Sequence, residues 1–214
     1  TSVKGYIKGL RDGVAGTPEK QEQYLSVAYN KAGEMDVLLQ KLFYFSKLET
    51  GNLPLSLTDE DLGEFVQKFA LQSREDPAQA NVEIVTDFRA GENRVRIDTE
   101  QMHRVLANLT DNAMKYAAAD HLTVRITVAR EGERVHLRFA DNGKGVPEEQ
   151  LEKLFVQFWR GDEARGQRDG GSSGLGMNIV KYIIEAHGGT VSACNAGGLA
   201  VDILLPAGKE AQHE

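Results

Sequence analysis

Between Arg104 and Ala117 the chain reads Arg-Val-Leu-Ala-Asn-Leu-Thr-Asp-Asn-Ala-Met-Lys-Tyr-Ala, and the spacing of its apolar residues leaves little choice of conformation. At a helical step of about 100° per residue, Met102, Val105, Leu106, Leu109, Ala113 and Tyr116 fall on one narrow face, which predicts a helix packed against a core. Asn108, Asn112 and Lys115 form a second stripe beside it. Asn is a poor helix-interior residue, about 0.5 kcal/mol worse than Ala, because its short amide competes for backbone hydrogen bonds. Two of them one turn apart call for a reason. An amide oxygen is a neutral hard ligand suited to Mg²⁺, and a Lys further along the stripe can reach a phosphate that the metal also holds. Taken alone, the same pattern also fits a solvated helix edge.

Two downstream stretches favour the ligand reading. Asp141-Asn142-Gly143-Lys144-Gly145-Val146-Pro147 follows the alternating run Val135 to Ala140, so an acid and two glycines sit where a strand ends. Gly171-Ser172-Ser173-Gly174-Leu175-Gly176 opens an apolar-periodic segment, which puts a glycine-rich loop at a helix N-terminus, where bare N–H groups attract phosphate. In this order, after an Asn-bearing helix, they resemble the nucleotide site of the histidine kinase and Hsp90-type ATPase superfamily. Its N, G1 and G2 boxes correspond to NLTDNAMKY, DNGKGVP and GSSGLGM. Between the last two, Leu154 to Asp162 resembles the F box of histidine kinases and narrows the match to that family.

The composition permits such a fold. At 214 residues, 41% hydrophobic and 27% charged, the chain is ordinary soluble protein with room for one large or two small domains. The net charge of −7 and the absence of a basic run argue against nucleic acid as a partner. Cys194 is the only cysteine, which excludes an intrachain disulfide and suits a reducing cytoplasm. No apolar run approaches the ~20 residues of a membrane span. The resemblance places any membrane anchor in segments outside this sequence, leaving this part cytoplasmic.

Residues 1–51 read as a helical hairpin. Val3, Ile7, Leu10 and Val14 make one seam, Gly13, Gly16 and Pro18 break it, and a long helix is predicted from about Glu19 to Thr50. That helix carries Leu25, Ala28, Ala32, Met35, Leu39 and Leu42 in a heptad-like stripe, broadened by Leu38, Phe45 and Leu48. A hairpin alone has too little core, so a homodimeric four-helix bundle is its natural completion. Gly51-Asn52-Leu53-Pro54 ends the helix and opens a second domain, residues 52–214. There the pattern predicts strands near Leu55 to Leu57, Val82 to Phe88, Arg94 to Ile97, Leu122 to Ala129, Arg134 to Ala140, Thr190 to Cys194 and Leu199 to Leu205. Helices are predicted at Asp61 to Arg74, through the Asn-bearing stretch, at Glu148 to Leu154 and at Leu175 to His187. The fold class is α+β: a helical hairpin followed by an α/β sandwich of the histidine kinase and Hsp90 type, helices on one face of a mixed sheet.

The resemblance covers essentially the whole chain and implies a role for each matching residue. Asp141 would accept from the adenine 6-amino group. Guanine presents a carbonyl there and would leave a buried carboxylate unpaired. Gly143, Gly145 and Val146 would let backbone approach the base and ribose, with Tyr116 against the ring. Asn112 and Asn108 would give Mg²⁺ side-chain oxygens, Lys115 would offset phosphate charge, and Gly174, Leu175 and Gly176 would present N–H groups to phosphate. Arg160 would contact the γ-phosphate. The stretch from Trp159 to Ser173 would be a lid anchored by Phe155 and Phe158. Two departures from the family pattern stand out: Ser172, where many members have Gly, and Asp202, where an aromatic or apolar residue is expected.

The activity implied is that of a sensor histidine kinase: the γ-phosphoryl of ATP passes to a histidine and then to an aspartate on a response regulator. None of His103, His121, His136, His187 or His213 has the family's His-Glu-x-x-Thr/Asn-Pro context. The phosphoacceptor is accordingly expected upstream of Thr1. The competing class is a nucleotide-gated interaction module that signals without phosphotransfer. Chaperone and topoisomerase ATPases activate water with a catalytic Glu in the N box, and Asp111 is not at that place.

Overall fold

A computed structural model describes residues 3–49, 54–79, 81–90, 92–159, 161 and 174–208. The chain falls into two compact units, Thr1–Asn52 and Leu53–Glu214. In the first, helix α1 (Val3–Arg11) turns into helix α2 (Pro18–Glu49). Gly13 makes the turn possible by adopting φ 71°, a region that costs other residues about 1–2 kcal/mol. Thr17 then caps α2, its hydroxyl accepting the Lys20 N–H at 3.3 Å, and Pro18 takes the first helical position. Tyr6 stacks edge-on against Tyr24, ring centroids 5.4 Å apart. Ala28 is buried, whereas Leu25, Met35 and Leu39 of the heptad-like stripe are exposed in the single chain.

The second unit is built on a five-stranded sheet in the order β2 (Val82–Phe88), β4 (Leu122–Glu131), β5 (Arg134–Asp141), β7 (Leu199–Pro206), β6 (Thr190–Asn195). β2 and β4 are parallel and the other neighbours antiparallel, so the sheet is mixed, as its alternating patterns predict. Helices α3 (Leu62–Glu75), α4 (Thr99–Tyr116) and α5 (Gly176–Ala186) pack on β2, β4 and β6 respectively. The core lies between: Val124, Ile126, Leu137 and Ile203 from the sheet meet Val66, Phe69, Met102, Leu106, Ile183 and Ile184 from the helices, all buried. The opposite face is polar. Asp202 points there, bonded to His136 at 2.8 Å and 3.5 Å from Arg138, so the acid in β7 leaves the apolar packing of Val201, Ile203 and Leu205 intact.

Two elements differ from expectation. The first strand is not Leu55 to Leu57 but β1 (Thr58–Asp61), which pairs antiparallel with β3 (Arg94–Ile97). Backbone bonds explain the shift: the Ser56 N–H is taken by the Asp98 carboxylate at 2.9 Å and not by a strand, while Asp61, opposite Arg94, ends β1 because its carboxylate accepts the Gly63 and Glu64 N–H groups that open α3. The helix expected at Glu148 to Leu154 is two short 3₁₀ turns, Glu148–Gln150 and Glu152–Phe155. Seven residues after a proline are too few to offset the cost of nucleating an α-helix, and i→i+3 bonds serve instead.

The ends of α4 and α5 are tied together. Asp98 caps α4 by accepting the Gln101 N–H at 3.1 Å, and its own N–H donates to His187 Nε2 at 3.0 Å. Because Nε2 accepts, Nδ1 carries the proton and donates to the Ile183 carbonyl at 2.7 Å. One buried neutral imidazole thus joins the start of α4 to the end of α5.

Candidate functional site

α4 presents the first part of the site. Asn108 donates its Nδ2 to the Arg104 carbonyl at 2.8 Å, which fixes the amide with Oδ1 toward α5. A Cβ placed on Gly176 would stand 3.2 Å from Asn108 Oδ1 and 3.8 Å from Asn112 Oδ1. Both amide oxygens therefore meet the first turn of α5, where Leu175 caps the helix without a side-chain bond and the leading N–H groups have no partner within the helix. Among the described residues no cluster of three or more His, Cys, Asp or Glu could hold a metal, so a cation here would depend on neutral amide oxygens and on its own ligand. That suits a metal that arrives with triphosphate oxygens and keeps several waters. Lys115 is 44% exposed and 3.9 Å from Asp111, one turn back. So open a pair contributes little, and a phosphate can compete for the ammonium. Tyr116, half-buried, ends the helix.

The strand β5 delivers the second part. Asp141 is 8% exposed. Its Oδ1 accepts the Gly143 N–H at 2.8 Å and the Leu199 N–H at 3.1 Å, while no described residue bonds Oδ2. Asn142 straps the loop to β4, accepting from the Thr123 N–H at 2.9 Å and donating to the His121 carbonyl at 2.8 Å. Gly143 lies on the end of α4: an added Cβ would be 2.4 Å from the Ala117 Cα, and the Lys144 N–H donates to the Ala117 carbonyl at 3.0 Å. Gly145 has φ 68°, and a Cβ there would be 2.4 Å from Asn195 Oδ1. Glycine at 143 and 145 is thus demanded by protein neighbours, a reason different from the room for base and ribose that the resemblance implies.

The third part joins the F-box segment to α5. Asn178, 7% exposed, donates to the Phe155 carbonyl at 2.9 Å, and its buried Oδ1 has no partner among the described residues. Phe158 adopts φ 58° and donates its N–H to the Gly174 carbonyl at 3.1 Å. Gly174 has φ 68°, and a Cβ would come within 2.9 Å of the Phe158 carbonyl carbon. These two residues close the base of the intervening stretch. Phe155 is half-buried, Phe158 exposed and Leu175 buried. Arg160, Ser172, Ser173 and most of the expected lid lie outside the described residues.

The structure therefore links the expected residues through direct neighbours: Asn108 and Asn112 to Gly176, Gly143 to the end of α4, Asp141 to the β6–β7 turn, Phe158 to Gly174. It adds Asn178, Asn195 and His187, which the pattern alone did not single out for the site. Asn195 accepts the Val146 N–H at 3.1 Å and donates to the Val146 carbonyl at 2.8 Å. The available signal was an amide residue at a strand end and another inside an apolar helix run, both poor local choices.

Residues 97–209 match the family model described as histidine kinase-, DNA gyrase B-, and HSP90-like ATPase. The sensor histidine kinase WalK of Bacillus subtilis (strain 168) is 28% identical over 217 residues, taking in 100% of this chain and 35% of that protein. The chain spans about a third of the length of that relative. Among solved structures, the Acinetobacter baumannii histidine kinase AdeS superposes with a TM-score of 0.74 at 24% identity, covering 97% of this chain and 94% of that one. Histidine kinase ThkA in complex with response regulator protein TrrA superposes with a TM-score of 0.72 at 21% identity, covering 96% and 57%. The chain therefore belongs to the histidine kinase-, DNA gyrase B- and HSP90-like ATPase family, and over its whole length it is similar to a part of the sensor histidine kinase WalK.

Proposed function

We propose that this chain binds Mg-ATP and delivers the γ-phosphoryl group to a histidine, from which it passes to an aspartate of a response-regulator receiver domain. The observation that carries this reading is the approach of the Asn108 and Asn112 oxygens to the first turn of α5, together with Oδ2 of buried Asp141, which no described residue bonds. Oxygens for a cation, N–H groups for phosphate and an acceptor for the adenine amine are the three elements an adenine nucleotide needs. A magnesium ion, when bound, would neutralise phosphate charge. Lys115 adds positive charge from the side, and Arg160 is assigned to the γ-phosphate. In the transfer the histidine nitrogen forms a bond to phosphorus, the bond from phosphorus to the β,γ-bridging oxygen breaks, and ADP leaves. Positioning and charge do most of the work in such a reaction.

No histidine stands in residues 1–50, so the acceptor is assigned to a family histidine box outside α1 and α2. The response regulator as partner is supported by the likeness to ThkA, whose complex with TrrA is known. No described helix is long and apolar enough to cross a membrane, and we place this core on the cytoplasmic side. The magnesium assignment is tested by Asn112→Ala. With the metal ligand gone, ATP affinity is expected to fall about tenfold in Mg²⁺, on the order of 1.4 kcal/mol, and to change little in EDTA. An equal loss in both buffers would contradict the role.

A further inference from the structure

We infer that Asn195 is a positioning residue for the base end of the nucleotide site, acting through Val146 without touching the ligand. The inference rests on the reading of Asp141 to Val146 as the base and ribose wall. Asn195 is the last residue of β6, 49 residues from Val146, and its side-chain amide does what a neighbouring strand would do: Oδ1 accepts the Val146 N–H at 3.1 Å and Nδ2 donates to the Val146 carbonyl at 2.8 Å. Both backbone groups of one loop residue are thereby held by one side chain. Gly145 closes against the same amide, since a Cβ there would stand 2.4 Å from Asn195 Oδ1.

The turn that follows Asn195 holds the other side of the wall. The Ala196 N–H donates to the Gly198 carbonyl at 2.9 Å, which shapes the turn, and the next amide, Leu199, donates to Asp141 Oδ1 at 3.1 Å. Gly198 lies so close that a Cβ would be 2.1 Å from the Asp141 carbonyl oxygen. One hairpin turn therefore sets both the direction of the Asp141 carboxylate and the path of Gly145 and Val146. A loop with several consecutive glycine and polar residues has no core of its own to hold it, so the clamp decides whether the wall is formed before the nucleotide arrives. Binding to a pre-formed wall avoids the cost of ordering it.

The experiment compares the 214-residue chain with Asn195→Ala and Asn195→Asp, measuring ADP affinity by calorimetry, melting temperature without nucleotide, and amide hydrogen exchange. Asn195→Ala is expected to lose between about three- and tenfold in ADP affinity, the worth of hydrogen bonds at an exposed site. Asn195→Asp keeps the acceptor for the Val146 N–H but turns a second oxygen toward the Val146 carbonyl, and should lose at least as much. The Val146 amide should exchange faster in Asn195→Ala, which has no acceptor for it, while the Gly143 and Leu199 amides, held by Asp141, keep their protection in both variants. Unchanged ADP affinity in both variants overturns the inference, as does a general loss of protection with a fall in melting temperature, which would make Asn195 merely structural. Failure of the unsubstituted chain to bind ADP would instead remove the nucleotide reading itself.

Discussion

The two carboxylate oxygens of Asp141 have different neighbours, and a single substitution separates their tasks. Oδ1 holds the loop through Gly143 and Leu199, while Oδ2, bonded by no described residue, is the one we assign to the ligand. In Asp141→Asn the amide oxygen can keep both backbone bonds, which places the NH₂ group where Oδ2 was, donor against the adenine donor. ADP affinity should fall by about 2 kcal/mol or more, on the order of thirtyfold, with the melting temperature nearly unchanged. Calorimetry and thermal melts check this together, and a folded variant that binds ADP like the parent would contradict it. Asn108, Asn112 and Asp141 were legible as candidates because each falls in a stretch that resembles a nucleotide-site box, which a poor local choice in a regular element does not supply by itself. Asn195 and Asn178 were not, because their partners lie 49 and 23 residues away and only folding shows the pairing. The glycines were legible as necessary, but the atoms that make them so, in Ala117 and Asn195, were not.

Among the elements, those with a clear period were read to within a residue or two: α2, α3, β2 and β3 lie where apolar spacing put them, and α4 contains the stretch from Arg104 but begins five residues earlier, at Thr99. β1 was misplaced because Leu55 and Leu57 alternate like a strand, whereas the backbone ladder with β3 runs from Thr58 opposite Ile97 to Asp61 opposite Arg94, and Asp61 ends it by capping α3. Periodicity sees burial and is blind to a polar register. The hairpin of α1 and α2 carries its own expectation. Ile7, Leu25, Tyr29, Met35 and Leu39 are exposed in the single chain, Tyr29 at 81%, and apolar side chains left open along helices of this length call for a covering partner. A second copy, forming a four-helix bundle, is our assignment. Light scattering should give a dimer for the whole chain and a folded monomer for residues 53–214. A monomeric whole chain at high micromolar concentration would contradict the bundle.

At the scale of the whole molecule, the sheet and its three covering helices serve to bring together the ends of elements that are distant in sequence. β5 ends in Asp141, α4 ends in Tyr116 and Ala117, and α5 begins at Gly176. Their meeting requires the mixed topology in which β5 lies between β4 and β7, and that strand order was not readable from the pattern, which shows only which strands exist. His187 adds a buried strut between the far ends of α4 and α5, keeping the two asparagines of α4 level with the first turn of α5. We propose that these ends make one site selective for adenine. The most direct test is a calorimetric titration of ADP and of GDP into the whole chain in Mg²⁺. One ADP site per chain is expected, with GDP weaker by a factor of about thirty or more because its carbonyl would face an unpaired carboxylate oxygen. Equal affinity for the two nucleotides, or no binding of ADP, would contradict the account.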